Sequence, residues 1–216
     1  MDGVRGTLLQ SFDHISKLAY LNVLWIFFTL IGLGIVGFFP ATVALYSIVR
    51  KWIQEPDQEM SLFSMFWNEY KNSFFPANKF GFLLLIIGFV LIIDLMIFSN
   101  LGTTIGYIIS ALLTTLLFVY TFMILFCLPV FVHFKGNTLG ILKKALTLAI
   151  PLLPFSLLFL VLSTLLGVGL IFIPAAGIFF SGSLFAYANL KLFNTAIKRL
   201  ESRKMHINTL TLQAKS

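Results

Sequence analysis

Few residues in this chain are of a type that could do chemistry, and their spacing assembles none of them into a catalytic pattern. Asp94 is the one ionisable residue well inside an apolar run. A carboxylate at mid-span costs roughly 2.5–3.5 kcal/mol on insertion scales, so it is usually kept for a proton relay, a substrate contact or an interhelical hydrogen bond. The polar pair Ser99-Asn100 follows about 8 Å further along a regular helix, so the carboxylate can also snorkel to the interface. Asn189 and Asn194, near the inner end of the last apolar run, suit interhelical or interfacial hydrogen bonds. His14, His133 and His206 fall in three separate stretches, and none has a second His or a carboxylate at metal-ligand spacing. Cys127 is the only cysteine, which excludes an internal disulfide and suggests no thiolate metal site. Gly32-Leu33-Gly34 lies in an apolar run and lacks the Lys-Ser/Thr of a phosphate-binding loop. No catalytic, cofactor-binding or metal-ligating residue is predicted, and the chain reads as something other than an enzyme.

The elements that would position these residues are membrane helices. With 59% hydrophobic and 11% charged residues over 216 positions, the chain has lipid as its main solvent. Its net charge of +7 would suggest nucleic acid in a polar protein, but the cations sit at the ends of apolar runs, so no nucleic-acid partner is expected. Those runs occupy 18–38, 39–49, 80–99, 105–132, 146–173 and 174–190. All 15 Lys and Arg residues fall within 1–17, 50–79, 133–144 and 191–216, while the loops 37–40, 100–104 and 167–174 hold none. Short Lys/Arg-rich loops stay in the cytoplasm, so both termini are expected inside and the three uncharged loops outside. The predicted fold is therefore all-α, a polytopic transmembrane bundle of about six spans in three hairpins. Its parts are an interfacial helix at 1–17, hairpins at 18–54, 80–132 and 146–193, cytoplasmic segments at 55–79 and 133–145, and a basic tail at 194–216. The second run is short, and a five-crossing alternative makes it re-entrant, but that separates Arg5 and Lys17 from the other cations. A cleaved signal peptide is rejected because the run 18–38 is too long for one.

Pro40 and Pro174 are read as opening the returning helices of the first and third hairpins, since proline suits a first helical turn and poorly suits a helix end. The stretches 32–41 and 167–175 match each other around these prolines. Gly102 with Gly106, and Gly182 with Ala186, carry the small-residue spacing of close helix packing. Two stretches look interfacial. Val4, Leu8, Phe12, Ile15 and Leu18 recur at helical spacing opposite Arg5, Asp13 and Lys17. After Pro56, Asp57 and Glu59, the residues Met60, Phe63, Phe66, Trp67, Tyr70 and Phe74 make an aromatic face. Phe63, Phe66, Trp67 and Tyr70 are the candidate partner-docking residues, against the plainer reading of a helix lying on the membrane surface.

The first span ending in Gly37-Phe38-Phe39-Pro40-Ala41-Thr42-Val43-Ala44-Leu45-Tyr46, and the segment Leu62-Phe63-Ser64-Met65-Phe66-Trp67-Asn68-Glu69-Tyr70-Lys71-Asn72-Ser73-Phe74, resemble the YesL-like family of small bacterial membrane proteins, a family of unknown function. The resemblance covers nearly the whole chain. It implies a multi-pass protein of the bacterial plasma membrane, associated with operons for uptake of plant cell-wall polysaccharide fragments beside ABC transporter permease subunits, and it carries over no catalytic residue. The chain does not read as such a permease, because the acidic start of the coupling-helix pattern is missing before Ile150-Pro151-Leu152-Leu153-Pro154. The expected partners are thus the lipid bilayer and an oligosaccharide permease. A small independent transporter and a lipid-organising membrane protein are the alternatives.

Overall fold

In lipid every backbone N–H and C=O must find its partner within the protein, and the apolar runs accordingly fold as helices. The computed structural model describes residues 2–55, 61–134 and 136–213, with the backbone alone at 2–11, 204 and 206–213. These residues form α1 (Asp2–Ile31), α2 (Ile35–Gln54), α3 (Leu62–Ser99), α4 (Thr104–His133), α5 (Thr138–Ala149), α6 (Leu153–Phe172) and α7 (Pro174–Gln213). Among the described residues, four stretches are long and apolar enough to cross a membrane: Phe12–Ile31, Leu62–Ser99, Thr104–His133 and Leu153–Phe172. The protein is therefore a helical membrane bundle. α2 is not among the four, since it carries Arg50 and Lys51, yet it buries eleven of its twenty residues among its neighbours.

Two packed clusters hold the bundle together. Leu21, Leu24 and Phe28 of α1 meet Ala44, Leu45 and Ile48 of α2, Phe66 and Tyr70 of α3, and Leu190 of α7. Phe126 and Val130 of α4 meet Phe80 of α3, Ile141 and Ala145 of α5, Leu152, and Phe193 of α7. α7 serves both clusters and so joins the first hairpin to the second. Lipid tails are as apolar as leucine, so what these contacts add at membrane depth is dispersion from close packing rather than escape from water.

The predicted interfacial segments are not separate helices. α1 runs unbroken into the first span, and Val4 and Leu8 lie outside the described side chains. α3 likewise carries the aromatic segment straight into the third span through Pro76, while Pro56, Asp57, Glu59 and Met60 lie outside the described residues. The expectation that Pro40 opens the returning helix is corrected. α2 begins at Ile35, and Pro40 is buried inside it. The turn falls instead at Gly32-Leu33-Gly34, where Leu33 (φ 61°) and Gly34 (φ 73°) have positive φ, and Gly34 with ψ −92° takes a conformation that favours glycine. There the amides of Gly32, Leu33 and Gly34 donate back to carbonyls of Phe28, Leu30 and Thr29 at 2.9–3.1 Å. Pro174, by contrast, is the first residue of α7. The match between 32–41 and 167–175 is not a structural repeat, because Gly167 and Gly169 are helical in α6 whereas Gly34 forms a turn. Gly102 (φ 63°) forms the α3–α4 turn rather than a helix contact.

α5 is an element that the segment 133–145 was not expected to hold. Asn137 caps it, its side chain accepting from the amide of Gly140 at 2.9 Å. Ile141, Ala145 and Ala149 make its buried face, with Lys143 and Lys144 exposed. That spacing of four is the signal that could have found it.

Candidate functional site

Three buried polar side chains, Asn22, Thr42 and Asn189, form bonds between helices, whereas Ser73, Asn78 and Ser156 bond within their own. Asn22 of α1 donates to the carbonyl of Ile178 at 2.6 Å and accepts from the amide of Ser183 at 3.0 Å, gripping α7 at two points. Beside it Gly182 lets α7 approach so closely that a Cβ there would lie 3.0 Å from the Trp25 ring. Trp25 donates through Nε1 to the Thr42 hydroxyl at 3.0 Å, tying α1 to α2. Asn189 of α7, 3% exposed, donates to the Tyr46 hydroxyl at 3.2 Å and to the carbonyl of Leu125 at 2.8 Å, so one amide joins α7, α2 and α4. Tyr120 donates to the carbonyl of Leu84 at 2.5 Å, tying α4 to α3. Interhelical bonds of this kind are worth about 0.6 kcal/mol each on average and specify register as well as strength.

Below Asn189 the ends of α2 and α4 and the middle of α7 bound a polar cleft of about 590 Å³, lined by Gln54, His133, Lys191, Asn194, Lys198 and Glu201 among others. Next to the lining His133, the carbonyl of Val132 accepts from Arg50 at 2.7 Å. The Nε of Arg50 and the Nδ1 of His133 are buried with no hydrogen-bond partner among the described residues. Two helices end here, α2 at Gln54 and α4 at His133, and their free carbonyl ends attract cations. Arg50 answers that attraction at the end of α4, while Lys191 lies over the Tyr187 ring and lines the cleft with Lys198. The bundle thus has one basic end, marked by these residues, by Lys143 and Lys144 of α5, and by Arg199 and Arg203 of α7. No three His, Cys, Asp or Glu side chains come together among the described residues.

The predicted site residues are scattered over this frame. Asp94 is half-buried on α3 and makes no hydrogen bond or ion pair with a described residue. Asn189 is at the three-helix junction, and Asn194 lines the cleft below it. The four aromatic candidates do share a location, packed around Phe28 of α1, with two of the rings buried and two exposed. Phe28 stacks on Phe66 (centroids 5.1 Å, 18° between planes) and on Trp67 (5.6 Å, 25°), and also meets Phe63 and Tyr70. Phe66 is 0% exposed and Tyr70 is buried, so these two rings are closed to a partner; Phe63 (50%) and Trp67 (40%) keep an open edge. The Tyr70 hydroxyl abuts Gly32, which brings the aromatic segment up against the α1–α2 turn. Sequence reasoning missed Asn22 and Arg50 as bridging residues. The signal for Asn22 was a lone amide side chain in the run 18–38.

Comparison with known proteins places this arrangement among sequences of the same kind. The family described as "Protein of unknown function, DUF624" matches residues 18–95. Uncharacterized protein YteU of Bacillus subtilis (strain 168) is 34% identical over 212 residues, which cover 95% of each chain. Uncharacterized protein YesL of the same organism is 26% identical over 190 residues, covering 88% of this chain and 89% of the other. Uncharacterized protein YesV, also from that organism, is 29% identical over 134 residues, or 61% of this chain and 63% of the other. No solved structure matches the chain.

Proposed function

This chain belongs to the YesL-like DUF624 family, and from that premise we propose that it is an accessory protein of an oligosaccharide ABC-type uptake system in the bacterial plasma membrane, neither an enzyme nor a carrier. The observation that carries this reading is that the buried side chains Asn22, Thr42 and Asn189 are engaged in joining helices, while the buried Ser73, Asn78 and Ser156 bond back to their own helices, which leaves little to line a path for a polar solute. The family resemblance supplies the substrate class, fragments of plant cell-wall polysaccharide, and the partner class, permease subunits. The surface open to a permease is α6, of whose span only 11% is buried, together with the exposed edges of Phe63 and Trp67. Deleting the gene should reduce uptake of labelled oligosaccharide while the permease is still made. Unchanged uptake with the transporter fully assembled would sink the accessory reading.

The same reading sets the topology. The three hairpins α1–α2, α3–α4 and α6–α7 start and finish at the basic end, which charge places in the cytoplasm with both termini. Their tips differ. Around the α1–α2 turn Leu30, Ile31, Leu33 and Ile35 stand exposed, Leu33 at 88%, and Ile171, Phe172 and Ile173 do so at the α6–α7 turn. Between α3 and α4 the chain offers Ser99, Asn100, Thr103 and Thr104 alongside the exposed Leu101 and Ile105, a more polar tip than the other two. Lipid suits the first two tips and water the third, and the contact of Tyr70 with Gly32 agrees with an α1–α2 turn that stops within the lipid. In a Cys127→Ala background, Leu101→Cys should react with a membrane-impermeant maleimide from outside, and Leu33→Cys should stay protected. The reverse pattern would overturn this topology.

A further inference from the structure

A groove separate from the polar cleft runs between the start of α6 and the basic half of α7. It encloses about 280 Å³ and is walled by Pro151, Pro154, Phe155 and Leu158 on one side and by Arg199 and Arg203 on the other. The Arg199 guanidinium lies over the Phe155 ring at 5.5 Å from its centroid, and Arg203 follows one turn later on the same helix face. Neither guanidinium forms an ion pair with a described residue. The two ends of the groove differ in chemistry. The guanidiniums stand where α6 enters its span, while Leu158 is a further turn into it and the adjoining Leu157 is exposed to lipid. The two sites also differ in charge: the cleft sets Glu201 beside Lys191 and Lys198, whereas the charged residues that line this groove are the two arginines alone.

We infer that this groove is a binding site for one anionic phospholipid, its phosphate held by Arg199 and Arg203 and an acyl chain laid along Pro154, Phe155 and Leu158. Guanidinium matches phosphate with paired donors, and an unpaired cation at the level of the headgroups favours a lipid of net negative charge over a zwitterionic one, whose ammonium it repels. The apolar wall decides between two sources of phosphate. A free phosphate ion would use only the guanidiniums, whereas a phospholipid uses both sides of the groove.

The test is native mass spectrometry of the purified full chain released from detergent containing equal phosphatidylglycerol and phosphatidylcholine. One phosphatidylglycerol per chain should be retained, with a preference of about tenfold, as one charge-assisted contact would give. R199Q/R203Q should abolish that preference, and K143Q/K144Q, which removes the same charge from α5, should keep it. Millimolar inorganic phosphate should not displace the lipid. Leu158→Trp fills the apolar wall without touching charge and should also lower retention, which keeps the inference testable if the arginine variant does not fold. A preference that survives R199Q/R203Q, retention undiminished in Leu158→Trp, an equal loss in K143Q/K144Q, or displacement by phosphate would each overturn the site.

Discussion

Phe66→Ala should lower the stability of the purified protein by about 3 kcal/mol, whereas Phe63→Ala on the same helix should cost about 1 kcal/mol or less. The difference follows from where the two rings lie. Phe66 is fully enclosed, stacked face to face on Phe28 and in contact with the α1–α2 core, so its removal leaves a void that α1, α2 and α3 would all have to collapse to fill. Phe63 meets Phe28 only at 6.0 Å with tilted planes, and half of its surface is open. Unfolding in a denaturant titration in detergent would measure both. Phe63 and Trp67 then become the positions at which a change should weaken a partner complex without unfolding the chain. A Phe66→Ala protein of unaltered stability that had lost its partner would mean that the aromatic face docks outward and that the packing on Phe28 is wrong.

That contrast also marks what the sequence could say about these residues. The helical spacing of Phe63, Phe66, Trp67, Tyr70 and Phe74 is legible as one apolar face, but a face looks the same whether its cover is lipid, a partner or the chain's own first helix. What decides is Phe28, 38 residues before Phe66 in a run so nearly all apolar that periodicity carries little direction. The helices themselves were legible, because uninterrupted apolar length needs no tertiary information, and so was the basic end, because the 15 cations cluster along the chain. α5 was obscured by its length. Twelve residues with two lysines resemble a loop between spans, although Asn137 and the buried series Ile141, Ala145, Ala149 carried the signal. The bridging role of Asn22 depends on α7, whose contact with it lies 156 to 161 residues away along the chain, and no local pattern contains that information.

The first turn is where sequence and structure disagree most, and there the second large effect is expected. Pro40 attracted the turn in the reading of the sequence because proline punctuates helices, yet a proline near a helix start can be accommodated, while a reversal this tight cannot be made without backbone-to-backbone contact. The contact is between Gly32 and Gly37. A Cβ on Gly37 would press on the carbonyl oxygen of Thr29 and lie 2.7 Å from the Cα of Gly32 and 3.0 Å from the carbonyl of Phe28. These are main-chain atoms, so no rotamer change relieves the clash; α1 and α2 must move apart. Separating them would strain the Trp25–Thr42 bond at 3.0 Å and the buried seam of Phe28, Ala41 and Ala44 that lies just below the turn. Gly37→Val should therefore cost about 3 kcal/mol, the upper range for forced overpacking. Gly34→Ala should cost about 2 kcal/mol, since a Cβ there meets nothing within 4 Å and the strain is in the backbone alone, at φ 73° and ψ −92°. Gly167→Val, on the open face of α6 with nothing within 4 Å, serves as the control and should leave stability within about 0.5 kcal/mol. Thermal unfolding of the three variants in one detergent ranks them, and a Gly37→Val protein as stable as Gly167→Val would show that the hairpin does not close at Gly32-Leu33-Gly34.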